Sequence, residues 1–315
     1  MVSFLVRRIA LLVLTIIVTS GIIFALTQLL PGDVARLILG REATETRVAQ
    51  FNADFGLDQP PLMQYTRWLG NFVRGDWGKS FTAGNASVRP LVLERLNNSL
   101  LLATVALVLA VPLSVFLGVL TAVYAGTWFD SLISIVTLAV VGLPEFVTGI
   151  VLINVFALGF GWFEATSLIR DGYSLSQWVR VLGLPAITAS FVLVGYIVRL
   201  TRAGTMEELG KTYVRTAILK GLPRRTVLLR HVLRNALLPT ITVIAISIGW
   251  LIGGIVVIES IYNYPGMGSE LVRAVQQKNL PVLQAITMLI VIIFAVSNLV
   301  ADLVYAALNP RIRLG

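Results

Sequence analysis

Apolar and polar positions in this chain fall into long blocks rather than short alternations. Six apolar runs stand out: Ile9–Leu30, Leu100–Val123, Leu132–Ala157, Val181–Val198, Ala236–Ile258 and Leu283–Ala307. Each is close to or beyond the roughly 20 residues that carry an α-helix across a bilayer. The pattern predicts an all-α polytopic membrane protein with six transmembrane helices. A soluble protein built on one very large core is the alternative, and repeated runs of membrane-spanning length argue against it.

The polar blocks between the spans are unequal. Pro31 to Leu96 is long enough to form a small subdomain of its own. Pro31-Gly32-Asp33, Gly56, Pro60-Pro61 and Gly75-Asp76 punctuate it with turn-forming residues. Between them, Thr44–Phe55 and Pro61–Val73 have helical patterning, with Leu62, Tyr65, Trp68, Leu69 and Phe72 on one apolar face. The expected organisation is residues 1–30 as N-terminus and first span, 31–96 as a small external subdomain, and 97–315 as a five-helix core. That core contains a basic loop at 199–234.

Charge orients the pattern. The 199–234 loop carries nine Lys or Arg against Glu207 and Glu208, a net +7 of the chain's +9. Counting termini and short loops, one side holds 13 basic residues and the other four, namely Arg170, Arg180, Arg273 and Lys278. The long 31–96 segment is left out, since long loops translocate largely regardless of charge. The positive-inside rule then puts both termini and the basic loop in the cytoplasm. The run after Arg8 exceeds a signal peptide's apolar region and no small-residue cleavage site follows it, so a retained first span is expected.

Composition narrows the chemistry. With 57% hydrophobic residues, 13% charged and a mean hydropathy of +0.85, the chain is far from soluble composition. Its basic balance serves membrane orientation and partner contact better than nucleic acid. Cysteine is absent and His231 is the sole histidine, which excludes disulfides, thiolate metal sites and multi-His clusters. The segment Gly75-Asp76-Trp77-Gly78-Lys79-Ser80 superficially resembles a phosphate loop. Its required earlier glycine is Val73, so no nucleotide site is expected in this chain. The sequons at Asn85 and Asn97 carry no weight, and no nucleophile–base pair supports an intramembrane enzyme.

Polar residues inside the spans are costly and usually face protein or a watery cavity. Glu145 is the clearest, near mid-span in Gly142-Leu143-Pro144-Glu145. Asn154 lies further along that span and Glu259 at the outer end of span five; these three are the candidates for a pathway or gate. Helix–helix hydrogen bonding is the plainer reading for Asn154, Asn298 and Asp302. Pro112, Pro144 and Pro239 are expected to kink their spans.

Within the basic loop, Lys211 to Leu222 reads as a short helix. Val214, Ala217, Ile218 and Leu222 form one apolar face, while Lys211, Arg215 and Leu219 lie on another. Gly221 is placed to cap it and Pro223 to block its continuation. A second basic helix, Arg224 to Asn235, then leads into span five. Such a helix could pass force from a soluble partner into the membrane, or could lie among lipid headgroups.

The residues Tyr213-Val214-Arg215-Thr216-Ala217, Lys220-Gly221-Leu222 and Leu233 resemble the cytosolic motif of peptide-type ATP-binding-cassette importer permeases. Arg215, Thr216, His231 and Arg234 depart from the general form of that motif, in the manner of the dipeptide/oligopeptide group. Further resemblances run along the chain: Leu30-Pro31-Gly32-Asp33, Gly56-Leu57-Asp58-Gln59-Pro60, Gly75 to Ser80, Glu259 with Tyr264-Pro265-Gly266-Met267-Gly268, and Asn309-Pro310-Arg311-Ile312-Arg313.

The resemblance implies a type I importer fold and a B-type permease subunit of a bacterial cytoplasmic membrane. Tyr213, Val214, Arg215, Thr216, Ala217, Lys220, Gly221 and Leu222 would form the ATPase-coupling helix. Asp76, Trp77, Tyr264, Pro265 and Gly266 would meet an external solute-binding protein. The implied partners are a second, C-type permease, two cytosolic ATPases that hold ATP and Mg, the binding protein, membrane lipid and a peptide substrate. This chain itself would bind no cofactor. Nickel, glutathione or haem are alternative cargoes, and a stand-alone secondary carrier is the alternative class.

Overall fold

The computed structural model describes residues 2–28, 34–40, 43–82, 84, 86–170 and 172–308. In chain order the helices are α1 (Val2–Gln28), α2 (Val34–Leu39), α3 (Glu45–Phe55), α4 (Pro61–Arg74), α5 (Val88–Val123), α6 (Trp128–Gly142) and α7 (Glu145–Leu152). The last runs on as a π-helical segment, Ile153–Gly159. Then follow α8 (Leu175–Leu209), α9 (Thr212–Leu219), α10 (Arg224–Thr226) with a π segment Val227–Val232, α11 (Leu233–Ile261), α12 (Met267–Gln276) and α13 (Leu280–Leu308). Among the described residues the only β pairing is a single bridge, Lys79 with Ser87.

Among the described residues five helices are long and apolar enough to cross a membrane, and a sixth crossing is supplied if α6 and α7 count as one broken span. The third span is therefore not the single helix its apolar run predicts. A bend of 106° separates its halves. Leu143, preceding Pro144, takes extended backbone angles (φ −84°, ψ 133°), as proline's ring demands of the residue before it. Pro144 then serves as N-cap of α7. Pro112 and Pro239, by contrast, sit inside unbroken helices. A transmembrane helix tolerates a proline when neighbours re-satisfy the freed backbone groups.

The chain divides into two compact units, Met1–Ser99 with Pro265–Ala295, and Leu100–Tyr264 with Val296–Gly315. Residues 31–96 therefore cluster with the first helix and with 265–295. In this first unit, α4 lays its aromatic face on α1. Phe24 meets the rings of Tyr65 (5.5 Å) and Trp68 (6.1 Å), and the Ser20 and Tyr65 hydroxyls hydrogen-bond at 2.9 Å. Phe72 is buried, but Leu62 at the start of the predicted face is 75% exposed. Asn279 ties the distant segments together, its Nδ2 donating to Ser80 Oγ (2.7 Å) and its Oδ1 accepting from the Phe81 amide (3.2 Å).

The second unit is built around α8. Its buried residues, among them Leu184, Leu193 and Ile197, share a core with Leu102, Ala106 and Ala110 of α5 and with Ile255, Ile258 and Tyr262. Glycines allow the closest approaches. A Cβ at Gly118 would lie 2.6 Å from Thr201 Cβ, and one at Gly204 would lie 2.6 Å from the Ala236 carbonyl oxygen. Small residues at crossings let backbones touch, which compensates for the weak hydrophobic drive between helices in lipid.

Candidate functional site

The helix expected in the basic loop is α9, a little shorter than predicted. It ends in a Schellman motif: the Gly221 amide donates to Ile218 O (2.9 Å) and the Leu222 amide to Ala217 O (3.3 Å). Gly221 supplies the positive φ of 79° that this turn needs. Pro223 caps the next short helix, which passes through the π segment directly into α11.

One face of α9 is packed and the other is bare. Val214 is buried in a cluster with Val227, Val232 and Ala236, against which Tyr213 and Ala217 also pack. Ile218 (47% exposed), Leu219 (80%) and Leu222 (37%) do not share that burial. The apolar face predicted from spacing is thus split: Val214 and Ala217 hold the helix down, while Ile218 and Leu222 join exposed Leu219. Arg215, Thr216 and Lys220 are exposed around them.

Beneath α9 lies a polar cluster that sequence reading passed over. Glu208, 8% exposed at the end of α8, accepts from the Tyr213 hydroxyl at 2.6 Å and from Lys211 Nζ. Asn235, at the start of α11, hydrogen-bonds into the same group. Burial and the Glu208 bond push the Tyr213 phenol above its ordinary pKa, and the Glu208 bond likewise holds the Lys211 ammonium above its own. One carboxylate therefore joins α8, α9 and α11. Its sequence signal was only a second Glu beside Glu207 in a basic loop.

A second unforeseen pair lies nearby. Arg202 of α8 grips Asp130 of α6 through Nε–Oδ1 and Nη2–Oδ2, both 2.7 Å. Asp130 is 5% exposed and also accepts from the Gly126 amide at 3.0 Å.

The three pathway candidates occupy different settings. Glu145 is the first residue of α7, half-buried, at the break rather than in mid-helix. Asn154 is exposed on the π segment and donates to Ile150 O at 2.8 Å, a bond within its own helix. Glu259 is fully buried. It stands near Tyr264, whose phenol is pushed up by burial and by the Glu259 charge, and whose amide donates to Glu259 O at 2.8 Å.

The docking candidates divide similarly. Asp76 is exposed and accepts from the Gly78 amide, and Trp77 stacks on Phe72 at 5.3 Å. Pro265 O accepts from Arg95 (3.3 Å) and Asn98 (2.8 Å), and Gly266 is buried. Tyr264 is fully buried in the core of the second unit, so its ring presents nothing to a partner. The segments Leu30–Asp33 and Asn309–Arg313, which entered the resemblance, fall outside the described residues.

The whole length of the chain has relatives. Residues 114–314 match the family described as binding-protein-dependent transport system inner membrane component, and residues 1–115 match its N-terminal companion. The chain belongs to this family. The glutathione transport system permease protein GsiC of Escherichia coli K12 is 34% identical over 313 residues, 99% of each chain. A putative peptide transport system permease protein of Brucella abortus (strain 2308) is similar to the same degree, 34% over 313 residues and 99% of each. A third, from Brucella melitensis biotype 1, matches equally. The protein is thus a permease component of a binding-protein-dependent ATP-binding-cassette transporter, an inner-membrane component with several apolar spans. Its family is generally non-catalytic and implies ATPase and solute-binding partners.

Proposed function

We propose that this permease is the B-type subunit of an importer for small peptides and that α9 with its cap, Tyr213–Leu222, is the helix on which a cytosolic ATPase docks. The observation that carries this is the split face of α9. Leu219, 80% exposed on a helix bracketed by charged residues, is an apolar anchor left uncovered by the described residues, and Arg215 and Lys220 flank it. A groove in a soluble protein takes such an amphipathic helix through anchors at helical spacing.

Movement of the docked helix would pass to α8 and α11 through Glu208 and Val214, so ATP-driven closure of two ATPases would rock the bundle between inward- and outward-facing states. For this to work the docking energy must differ between those states. The second permease, the two ATPases carrying ATP and Mg, and an external binding protein complete the machine. In this reading both termini and the 199–234 loop are cytoplasmic, in keeping with the charge asymmetry. Asp76, Trp77, Pro265 and Gly266 belong to the face that receives the binding protein.

The cargo reading rests on the peptide-type form of Tyr213–Leu222 and on relatives named for glutathione and for peptides. Glutathione, a tripeptide, falls within the same substrate class. The test is purification in mild detergent with identification of co-purifying chains, followed by ATPase assays with binding protein loaded with dipeptide, oligopeptide or glutathione. Stimulation by one of these ligands supports the reading. Recovery of the chain alone as an ion-driven carrier overturns it.

A further inference from the structure

Three contacts join α6 and α7 to the rest of the second unit on either side of Glu145. Arg202 pairs with Asp130 at the charged end of α8, where the basic loop must meet water. Seven residues back along α8, about 10 Å at helical rise, Gly195 receives Val141 and the Thr137 carbonyl of α6. Another seven residues back, about 21 Å from Arg202, the Thr188 hydroxyl meets that of Tyr262 at 2.8 Å. The same Tyr262 hydroxyl donates to Gly149 O of α7 at 3.3 Å. Glu145 lies in sequence between Val141 and Gly149, at the 106° bend within an apolar run long enough to cross a membrane.

Its surroundings there are unusual. Gly142, Leu143, Pro144 and Phe146 are all exposed in this chain, so the break in the span is on an outer face. Non-helical backbone with free polar groups is not found facing lipid at membrane depth. It occurs only against protein or lining water. The Glu145 carboxylate has no hydrogen bond or ion pair among the described residues. An unpartnered carboxylate within an apolar span suits water or a cation better than lipid.

We propose that the break at 142–145 lines the aqueous translocation path and that Glu145 receives the ammonium group of the passing substrate, such as the free N-terminus of a peptide. This rests on the permease reading and names the chemistry that the pathway recognises. The chain's natural lack of cysteine makes it directly testable. Glu145→Cys, in the complete complex in proteoliposomes, is treated with a water-soluble trimethylammonium thiosulfonate, and Ile135→Cys on the exposed apolar side of α6 serves as the control.

The expected result is modification of Glu145→Cys at least about ten times faster than Ile135→Cys, because the reactive thiolate needs water, with slowing by saturating substrate. Uptake by Glu145→Gln should fall about tenfold, the scale of a lost charge-assisted hydrogen bond, and Glu145→Asp should recover most of it. Labelling no faster than at Ile135→Cys, or wild-type uptake by Glu145→Gln, overturns the proposal. So does loss of the second permease from the Glu145→Gln complex, which would assign the carboxylate to an ion pair between subunits. Failure of the importer reading would show separately, as absence of co-purifying ATPase with the unsubstituted chain.

Discussion

The Tyr213 hydroxyl donates to Glu208 at 2.6 Å, and through this bond the first turn of α9 is fastened to the last turn of α8. The two residues are only five apart, yet the chain turns sharply between them at Gly210 and Lys211. Lys211 and Asn235 share the same carboxylate, so α8, α9 and the root of α11 form one mechanical piece.

Tyr213→Phe removes that bond while keeping the ring that packs beside Val214. The loss of about 1.5–3 kcal/mol, typical of a hydrogen bond to a charged group, should loosen α9 without unfolding it. The expected outcome is normal assembly with more ATP hydrolysed per substrate imported. Simultaneous measurement of uptake and ATPase activity decides it. An unchanged ratio would mean that the packing of Val214 alone transmits the motion.

Gly221 has open space where a Cβ would go, so a substitution there meets no clash. Its cost is conformational, about 1–2 kcal/mol for a non-glycine residue at positive φ. Gly221→Ala should therefore be tolerated with reduced transport. Gly221→Asp adds a bulky charge beside the exposed Leu219 and Leu222 and should uncouple transport from hydrolysis while leaving insertion intact. Wild-type ATP-dependent uptake by Gly221→Asp would exclude this end of α9 from the docking surface.

Gly204→Ala tests the crossing of α8 and α11. The new methyl would stand 2.6 Å from the Ala236 carbonyl oxygen, and backbone cannot yield cheaply. Overpacking of this kind costs about 1–3 kcal/mol. Gly253→Ala, which meets nothing within 4 Å, is the control. Thermal stability of the detergent-solubilised protein should fall for the first substitution and hold for the second.

Asp130→Asn leaves the Arg202 guanidinium without its bidentate partner. Removing one member of a buried pair costs about 3–5 kcal/mol, and the 30% exposure of the Arg202 side chain should bring the loss below that range. Adding Arg202→Gln should restore part of the stability, because the stranded charge is then gone. Thermal unfolding of the two single variants and the double variant gives the coupling directly. Strictly additive losses would mean that the pair contributes nothing as a pair.

Much of the site could be read before any coordinates. The α9 register, its glycine cap and the proline beyond it are local devices, written within a dozen residues, and each is present. Glu145 was also legible, because an ionisable residue in an apolar run stands out whatever surrounds it. Glu208 and Asp130 were not, since each looks like an ordinary charge at a span's end until its partner three, five or seventy-two residues away is known. Tyr264 entered only through the resemblance, which carries no information on burial, and its ring is buried with Tyr262.

By itself, then, the sequence determined the class of this protein: helices of membrane-spanning length, a basic loop that cannot enter hydrocarbon, and a short amphipathic helix within it. These follow from hydrophobic periodicity, charge and capping, which act over one or two helical turns. Only the tertiary structure decided that the third span is broken by 106° at Pro144, that Glu145 stands at that break, and that Glu208 joins three helices. Those features depend on which distant side chains meet, and local periodicity carries no record of that.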